Sequence, residues 1–218
     1  MITNKKQMEM LFDEIDSKAK TPIHIYIIGG GAMLYAGLKQ FTKDIDAVVK
    51  TKKEYDEIHS VLKGMGFKET ALTDGIQRLA VSAVLEKGEA RMDLFFEKIC
   101  GKMNLSNPMA SRAKKIYSGK HLTASTCSNE DILLFKSITD RPGDKQDSGE
   151  LIRYGLNWET VLEELLAQIK SGEQVWVTYI NERLLELEEK GFNIPIMNQL
   201  EEKTAEYYKE LEKKLSKK

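Results

Sequence analysis

The sequence predicts an α+β chain in which strands and helices mix in the first part and helices alone make up the second. Short β-branched runs closed by glycines or charged turns recur up to about residue 125. Helical stripes with steps of three and four flank them, and from Ser128 onward helical periodicity stands alone. The expected domains are therefore a mixed α/β core over residues 1–125 and a helical domain over residues 126–218.

Taken in order, Met8, Leu11, Phe12 and Ile15 fall on one stripe of a helix over roughly 4–19, which Thr21-Pro22 stops. His24–Ile28, closed by Gly29-Gly30-Gly31, reads as a buried strand. Ala32–Ala36 reads as a helix ended by Gly37, and Asp44–Val49 as a second strand. Lys52–Gly64 is an amphipathic helix with Tyr55, Ile58 and Leu62 inward. Arg78–Leu85 and Ala90–Phe96 are strand candidates turning at Lys87-Gly88, and Lys115–Thr123 a strand or hairpin around Ser118-Gly119. Ser128 or Asn129 caps a helix through Ile132, Leu133, Phe135 and Ile138, which Pro142-Gly143 breaks. Stripes at Trp158–Ile169 and Val175–Leu184 give two more helices. Met197, Leu200, Thr204, Tyr207, Leu211 and Leu215 form a short heptad-like seam, expected to pack on its own domain rather than on another chain.

A chain of 218 residues, 41% hydrophobic, suffices for one core domain with a helical appendage. A formal net charge of −1 supplies no global field toward nucleic acid. The opening MITNKKQMEM lacks the apolar stretch of a secretory signal, and no segment approaches the roughly 20 apolar residues of a membrane span. The expectation is a soluble cytoplasmic protein without a membrane partner. Cys100 and Cys127 are too few for a disulfide framework or zinc knuckle, and are expected as buried or incidental thiols. His24, His59 and His121 show no metal-ligand spacing.

Candidate chemistry begins at the glycines. Between a strand and a helix they let the backbone approach a phosphate. A dinucleotide fingerprint would need glycine at Leu34, and no Gly-Lys-Ser/Thr ending follows, so a tight turn explains them as well. Asp44 and Asp46, two apart in a strand-like run, point to one face. Adjacent carboxylates repel unless a cation lies between them, and hard oxygen donors suit Mg2+; an aspartate pair capping a loop is the structural alternative. Asp93 stands in an otherwise apolar strand, where a charge is costly unless it is paired or ligates a metal. Arg91, two residues earlier on the same face, offers the pairing. Three carboxylates on neighbouring strands would hold two Mg2+ ions about 3.5–4 Å apart. Arg112-Ala113-Lys114-Lys115 with Lys120, His121 and Tyr117 is a modest basic cluster, a guide for an RNA backbone or, more simply, a solvated hairpin.

Gly29-Gly30-Gly31-Ala32, Gly37 and Thr42-Lys43-Asp44-Ile45-Asp46 together resemble the first motif of polymerase β-type nucleotidyltransferases, and Asp93 is similar to their third carboxylate. Lys136, Arg141, Asp144 and Asp147 resemble the helical motif of the abortive-infection toxin branch, so the likeness spans about residues 23–147. It implies a small mixed-sheet nucleotidyltransferase core with flanking helices, followed by a helical region. It implies transfer of a nucleoside monophosphate from a nucleoside triphosphate such as ATP, with two Mg2+ ions, to a hydroxyl of an RNA or tRNA end, a protein or a small molecule. A toxin role with an antitoxin partner goes with that branch. By resemblance Asp44, Asp46 and Asp93 are metal ligands and, with Lys136, catalytic. Gly29, Gly30, Thr42, Lys43 and Arg141 would bind the nucleotide, with Asp144 and Asp147 behind the site or on the acceptor side. Gln40 stands where relatives in that branch often carry arginine, and Lys39 or Lys43 would supply a point charge instead. The alternative is a catalytically inactive nucleotide-binding or scaffold protein of the same fold. A metal-dependent phosphohydrolase is disfavoured because no histidine adjoins the carboxylates.

Overall fold

The computed structural model describes residues 2–71, 80–171 and 174–216. The chain divides into two compact units, Met1–Ile132 and Leu133–Lys218. In the first unit the described strands are β1 (Ile23–Ile28), β2 (Ile45–Val49), β3 (Lys68–Glu69), β4 (Ala83–Lys87), β5 (Ala90–Phe96), β6 (Lys98–Ile99), β7 (Met103–Asn104), β8 (Lys114–Ser118) and β9 (Leu122–Thr126). Seven of them form one mixed sheet in the order β3-β4-β5-β2-β1-β9-β8, the α+β architecture the sequence predicts, while β6 and β7 pair separately. The sheet is antiparallel at β1–β2, β3–β4, β4–β5 and β8–β9, and parallel at β2–β5 and β1–β9.

Helix α1 (Lys5–Lys18) starts where the Asn4 side chain accepts the Gln7 N–H, and its stripe of Met8, Phe12 and Ile15 is fully buried. Helix α3 (Lys52–Gly64) opens with a Thr51–Glu54 capping box and buries Ile58, Val61 and Leu62. Both helices pack against the central strands, where Ile23, Ile25 and Ile27 of β1 are buried. The Arg78–Leu85 expectation is met only from Ala83; Arg78 lies outside the described residues. Helix α4 (Asn107–Arg112), capped by Ser106, escapes sequence reading because six residues carry no periodic stripe.

Helix α2 (Gly29–Ala36) begins at Gly29 itself, not at Ala32. Three glycines are poor helix formers, at about 1 kcal/mol each relative to alanine. Close packing overrides that cost, since a Cβ at Gly30 would lie 2.5 Å from Thr42 Oγ1 and one at Gly31 would lie 3.1 Å from Ile27 Cγ2. Gly37 ends the helix at φ 81°, as expected of a left-handed cap.

Helix α5 (Asn129–Ser137) carries the chain out of the first unit, with Ser128 accepting the Asp131 N–H as its cap. The second unit continues as α6 (Pro142–Tyr154), α7 (Trp158–Ser171), α8 (Trp176–Glu188) and α9 (Met197–Leu215). Pro142-Gly143 does not simply break a helix but opens α6, because a proline in the first turn gives up an N–H that has no partner there anyway. Helix α9 packs on α8 within its own unit, burying Met197 and Leu200. Farther along, Tyr208 and Leu215 stand exposed.

Candidate active site

The carboxylate face is built by strand register. Asp46 of β2 pairs with Ile28 of β1 on one side and with Asp93 of β5 on the other. Residues directly opposite in register point to the same face, so the Asp46 and Asp93 side chains stand about 5 Å apart across the sheet. Asp44 falls just ahead of β2, where its backbone carbonyl accepts from Thr42 Oγ1 at 3.0 Å. Thr42 is itself buried and pairs with Ile2 through two backbone hydrogen bonds of 2.9 and 2.8 Å, which anchors the segment entering β2.

Gly29 follows directly on Ile28 and therefore sits against Asp46. Its φ is +59°, and any Cβ there would collide with the Asp46 carboxylate. A Cβ at Gly30 would lie 3.9 Å from Lys39 Nζ, so an ammonium group also borders this corner. Asp44 and Asp46 are half-buried, while Lys43 and Gln40 are exposed.

Asp93 is 4% exposed. Arg91 Nε and Nη2 donate to its two oxygens at 2.7 Å each. Arg91 Nη1 also stands 3.8 Å from Glu86, its register partner on β4. The hydrogen bonds to Asp93, with the nearby charges of Asp44 and Glu86, hold the Arg91 guanidinium above its ordinary value against the cost of burial. Among the described residues no three His, Cys, Asp or Glu side chains form a metal-holding group. The ion pair anticipated for Asp93 is thus present, and it engages both of its oxygens.

The helical candidates come together inside the second unit. Lys136, 5% exposed, donates from Nζ to Asp144 Oδ1 at 2.9 Å and to Asp147 Oδ2 at 2.6 Å. Asp144 also accepts from Thr139 Oγ1 and from Arg141 Nε at 2.7 Å. Burial works against the Lys136 charge, but Asp144 and Asp147 outweigh it and raise the ammonium above its ordinary value. Burial likewise opposes the Asp144 charge, and Lys136 and Arg141 outweigh it and lower that carboxyl. Sequence reasoning missed two members of this cluster, Thr139 and Arg183. Arg183 Nη2 donates to the Thr139 carbonyl at 2.6 Å and pins the turn between α5 and α6. The signal was available, since Arg183 interrupts the buried stripe of Ile180, Leu184 and Leu187 on α8.

Part of the basic cluster is committed within the first unit. Arg112 forks onto the fully buried Asp131. Tyr117 donates to Asp13 at 2.8 Å, and the Lys120, His121 and Leu122 backbone N–H groups converge on Asp16. Acidic side chains of α1 thus face the hairpin, which favours the solvated-hairpin reading. Cys100 and Cys127 are buried, and burial pushes the Cys127 thiol up.

Residues 6–183 match a family described as "Nucleotidyltransferase of unknown function (DUF6036)". Among solved structures, the crystal structure of ANT(2")-Ia in complex with adenylyl-2"-tobramycin aligns at 15% identity and a TM-score of 0.47, covering 76% of this chain and 98% of that one. No curated protein matches the chain.

Proposed function

The chain belongs to this nucleotidyltransferase family, and from that premise we propose that it transfers a nucleoside monophosphate from a nucleoside triphosphate to a hydroxyl acceptor at the Asp44–Asp46 corner. The observation that carries the reading is the placement of Asp46. It is wedged between a glycine that no other residue could replace without collision and a second aspartate in register on the next strand.

The residues fit a divalent cation. Asp44 and Asp46 offer hard oxygen donors, and Gly29 keeps open the space beside Asp46 that a side chain would fill. A bound Mg2+ would supply charge neutralisation for the triphosphate. The chain's own residues do the rest. The start of α2, bordered by Lys39, binds the phosphates close to the backbone at Gly29 and Gly30. Thr42 holds the Asp44 backbone, which fixes the carboxylate pair, and Lys43 lies beside it on the exposed side. The acceptor oxygen forms a bond to the α-phosphorus as the bond to the β-phosphate oxygen breaks, and pyrophosphate leaves. Asp93, one strand over, takes the acceptor proton.

In the second unit, Lys136, Asp144 and Asp147 act through one another. They hold Arg141, whose side chain is 55% exposed and to which the resemblance assigns nucleotide binding. The likeness of this stretch to the abortive-infection toxin branch makes an RNA end the first acceptor to try, and an antitoxin protein the partner to seek.

The test is label transfer. Protein with Mg2+ is given each α-labelled nucleoside triphosphate, with total RNA added or omitted. Label is expected on RNA or on another hydroxyl acceptor with the native chain. Label transfer that persists undiminished in Asp46→Ala would remove Asp46 from the mechanism.

A further inference from the structure

Arg183 sits in the apolar stripe of α8 beside the buried Ile180, Leu184 and Leu187, and is itself only 5% exposed. A guanidinium in such a place is costly unless hydrogen bonds are made along its whole fork. That condition is not met. Among the described residues Nε and Nη1 have no hydrogen-bond partner. Glu186 stands 3.7 Å from Nη1 and Asp140 3.6 Å from Nη2, both beyond hydrogen-bond length. For stability alone, an apolar side chain of similar length would serve this stripe at least as well.

What Arg183 does make is a short bond from Nη2 to the Thr139 carbonyl, at 2.6 Å. Thr139 in turn donates from Oγ1 to the Asp144 carboxylate. The same carboxylate accepts Arg141 Nε at 2.7 Å and Nη2 at 3.2 Å. A continuous chain of hydrogen bonds thus runs from Arg183 through Thr139 and Asp144 to Arg141. Arg141 is the residue just ahead of α6, extended at φ −82° and ψ 135°, with no side-chain cap hydrogen bond at that helix start. The turn that carries it is secured at Thr139 by Arg183 and at its own fork by Asp144.

We infer that Arg183 is a positioning residue for nucleotide binding: it fixes the Thr139–Arg141 turn and, through Thr139 and Asp144, sets the direction in which Arg141 holds its guanidinium for a nucleotide phosphate. The inference rests on the proposal that Arg141 binds the nucleotide. It explains why a buried arginine with unmet donors stands where the helix pattern calls for an apolar residue.

The test is a double-variant cycle on nucleotide affinity, because a purely structural role would not couple Arg183 to Arg141. Each α-labelled nucleoside triphosphate is offered to the full chain with Mg2+ in equilibrium dialysis, and the one bound tightest is carried through the variants. Circular dichroism and melting confirm that every variant folds, and affinities are taken well below the lowest melting temperature. Arg141→Ala is expected to weaken binding by at least about tenfold, the loss of a charge-assisted hydrogen bond to phosphate. Arg183→Met is expected to weaken it by about three- to tenfold in the native background, and by less than about twofold once Arg141 is alanine. Thr139→Val cuts the same link while leaving Arg183 in place. It is expected to repeat that pattern, and it carries the test should Arg183→Met not fold. If both variants bind nucleotide as the native chain does, or cost as much without Arg141 as with it, the inference is overturned while nucleotide binding stands. No binding by the native chain, or Arg141→Ala binding as tightly as native, would instead overturn the reading on which it rests, and the inference with it.

Discussion

At Gly29 two demands meet in one residue, a left-handed φ of +59° and contact with the Asp46 carboxylate. Alanine there incurs roughly 1–2 kcal/mol of backbone strain and must also push Asp46 aside. Gly29→Ala is therefore expected to lower the melting temperature by a few degrees, yet to reduce nucleotide transfer by more than about tenfold. Melting and transfer measured on the same preparation check this; a variant with lowered stability and full activity would show that the Asp46 position is not critical. The Gly29–Gly30 and Asp44–Asp46 pairs were legible in the sequence because their spacing is local. That Asp46 and Asp93 stand side by side was anticipated through the resemblance alone, since register between strands far apart in sequence leaves no local pattern. Arg91 as the partner of Asp93 was legible, because strand alternation alone puts i and i+2 on one face.

Among the elements, α6 shows why a helix can be missed. Its buried positions are Asp144, Asp147, Ser148, Gly149 and Leu151, so it presents no apolar stripe to read. The polar face exists because it wraps the Lys136 ammonium. Stability follows with a definite sign. Asp144 is depressed below 3.8 in the folded chain, so its contribution is present above that value and is lost as pH falls through the folded one. Lys136 is raised above 10.5, so its contribution is present below that value and is lost as pH rises through the folded one. Between those limits the cluster stabilises the second unit. Melting followed from pH 6 downward is expected to fall off below about pH 4 in the native chain, and to show a flatter acid limb in Asp144→Asn. Lys136→Met is expected to cost about 3–5 kcal/mol by denaturant titration, because it strands two buried carboxylates. A cost under about 1 kcal/mol would mean the cluster is solvated. Helix α9 makes the opposite case: its seam was read as continuous, yet Met197 and Leu200 are buried, Thr204 and Tyr207 only half-buried, and Leu211 and Leu215 exposed. Truncation after Tyr208 is expected to leave helicity of the remaining chain and melting nearly unchanged, whereas a loss like that of a buried leucine, about 2–5 kcal/mol, would show that the exposed half packs.

For the whole molecule, the alternation of strands and helices followed by helices alone announced the mixed sheet and the helical region, because binary patterning tracks burial. The order β5-β2-β1-β9 through the sheet centre was beyond such patterning, and it is this order that brings the glycine turn, Asp46 and Asp93 to one place. Family membership covers residues 6–183 and so includes both the carboxylate face and the Lys136 cluster. The central claim is nucleotidyl transfer at Asp44–Asp46, and a paired-label experiment tests it most directly. The same nucleoside triphosphate is supplied with label at either the α- or the γ-phosphate, using native chain and Asp46→Ala. The prediction is that α-label moves to an acceptor while γ-label is released as pyrophosphate, and that both fall at least about a hundredfold in the variant. γ-Label moving to the acceptor, or α-label transfer unaffected by Asp46→Ala, would contradict it.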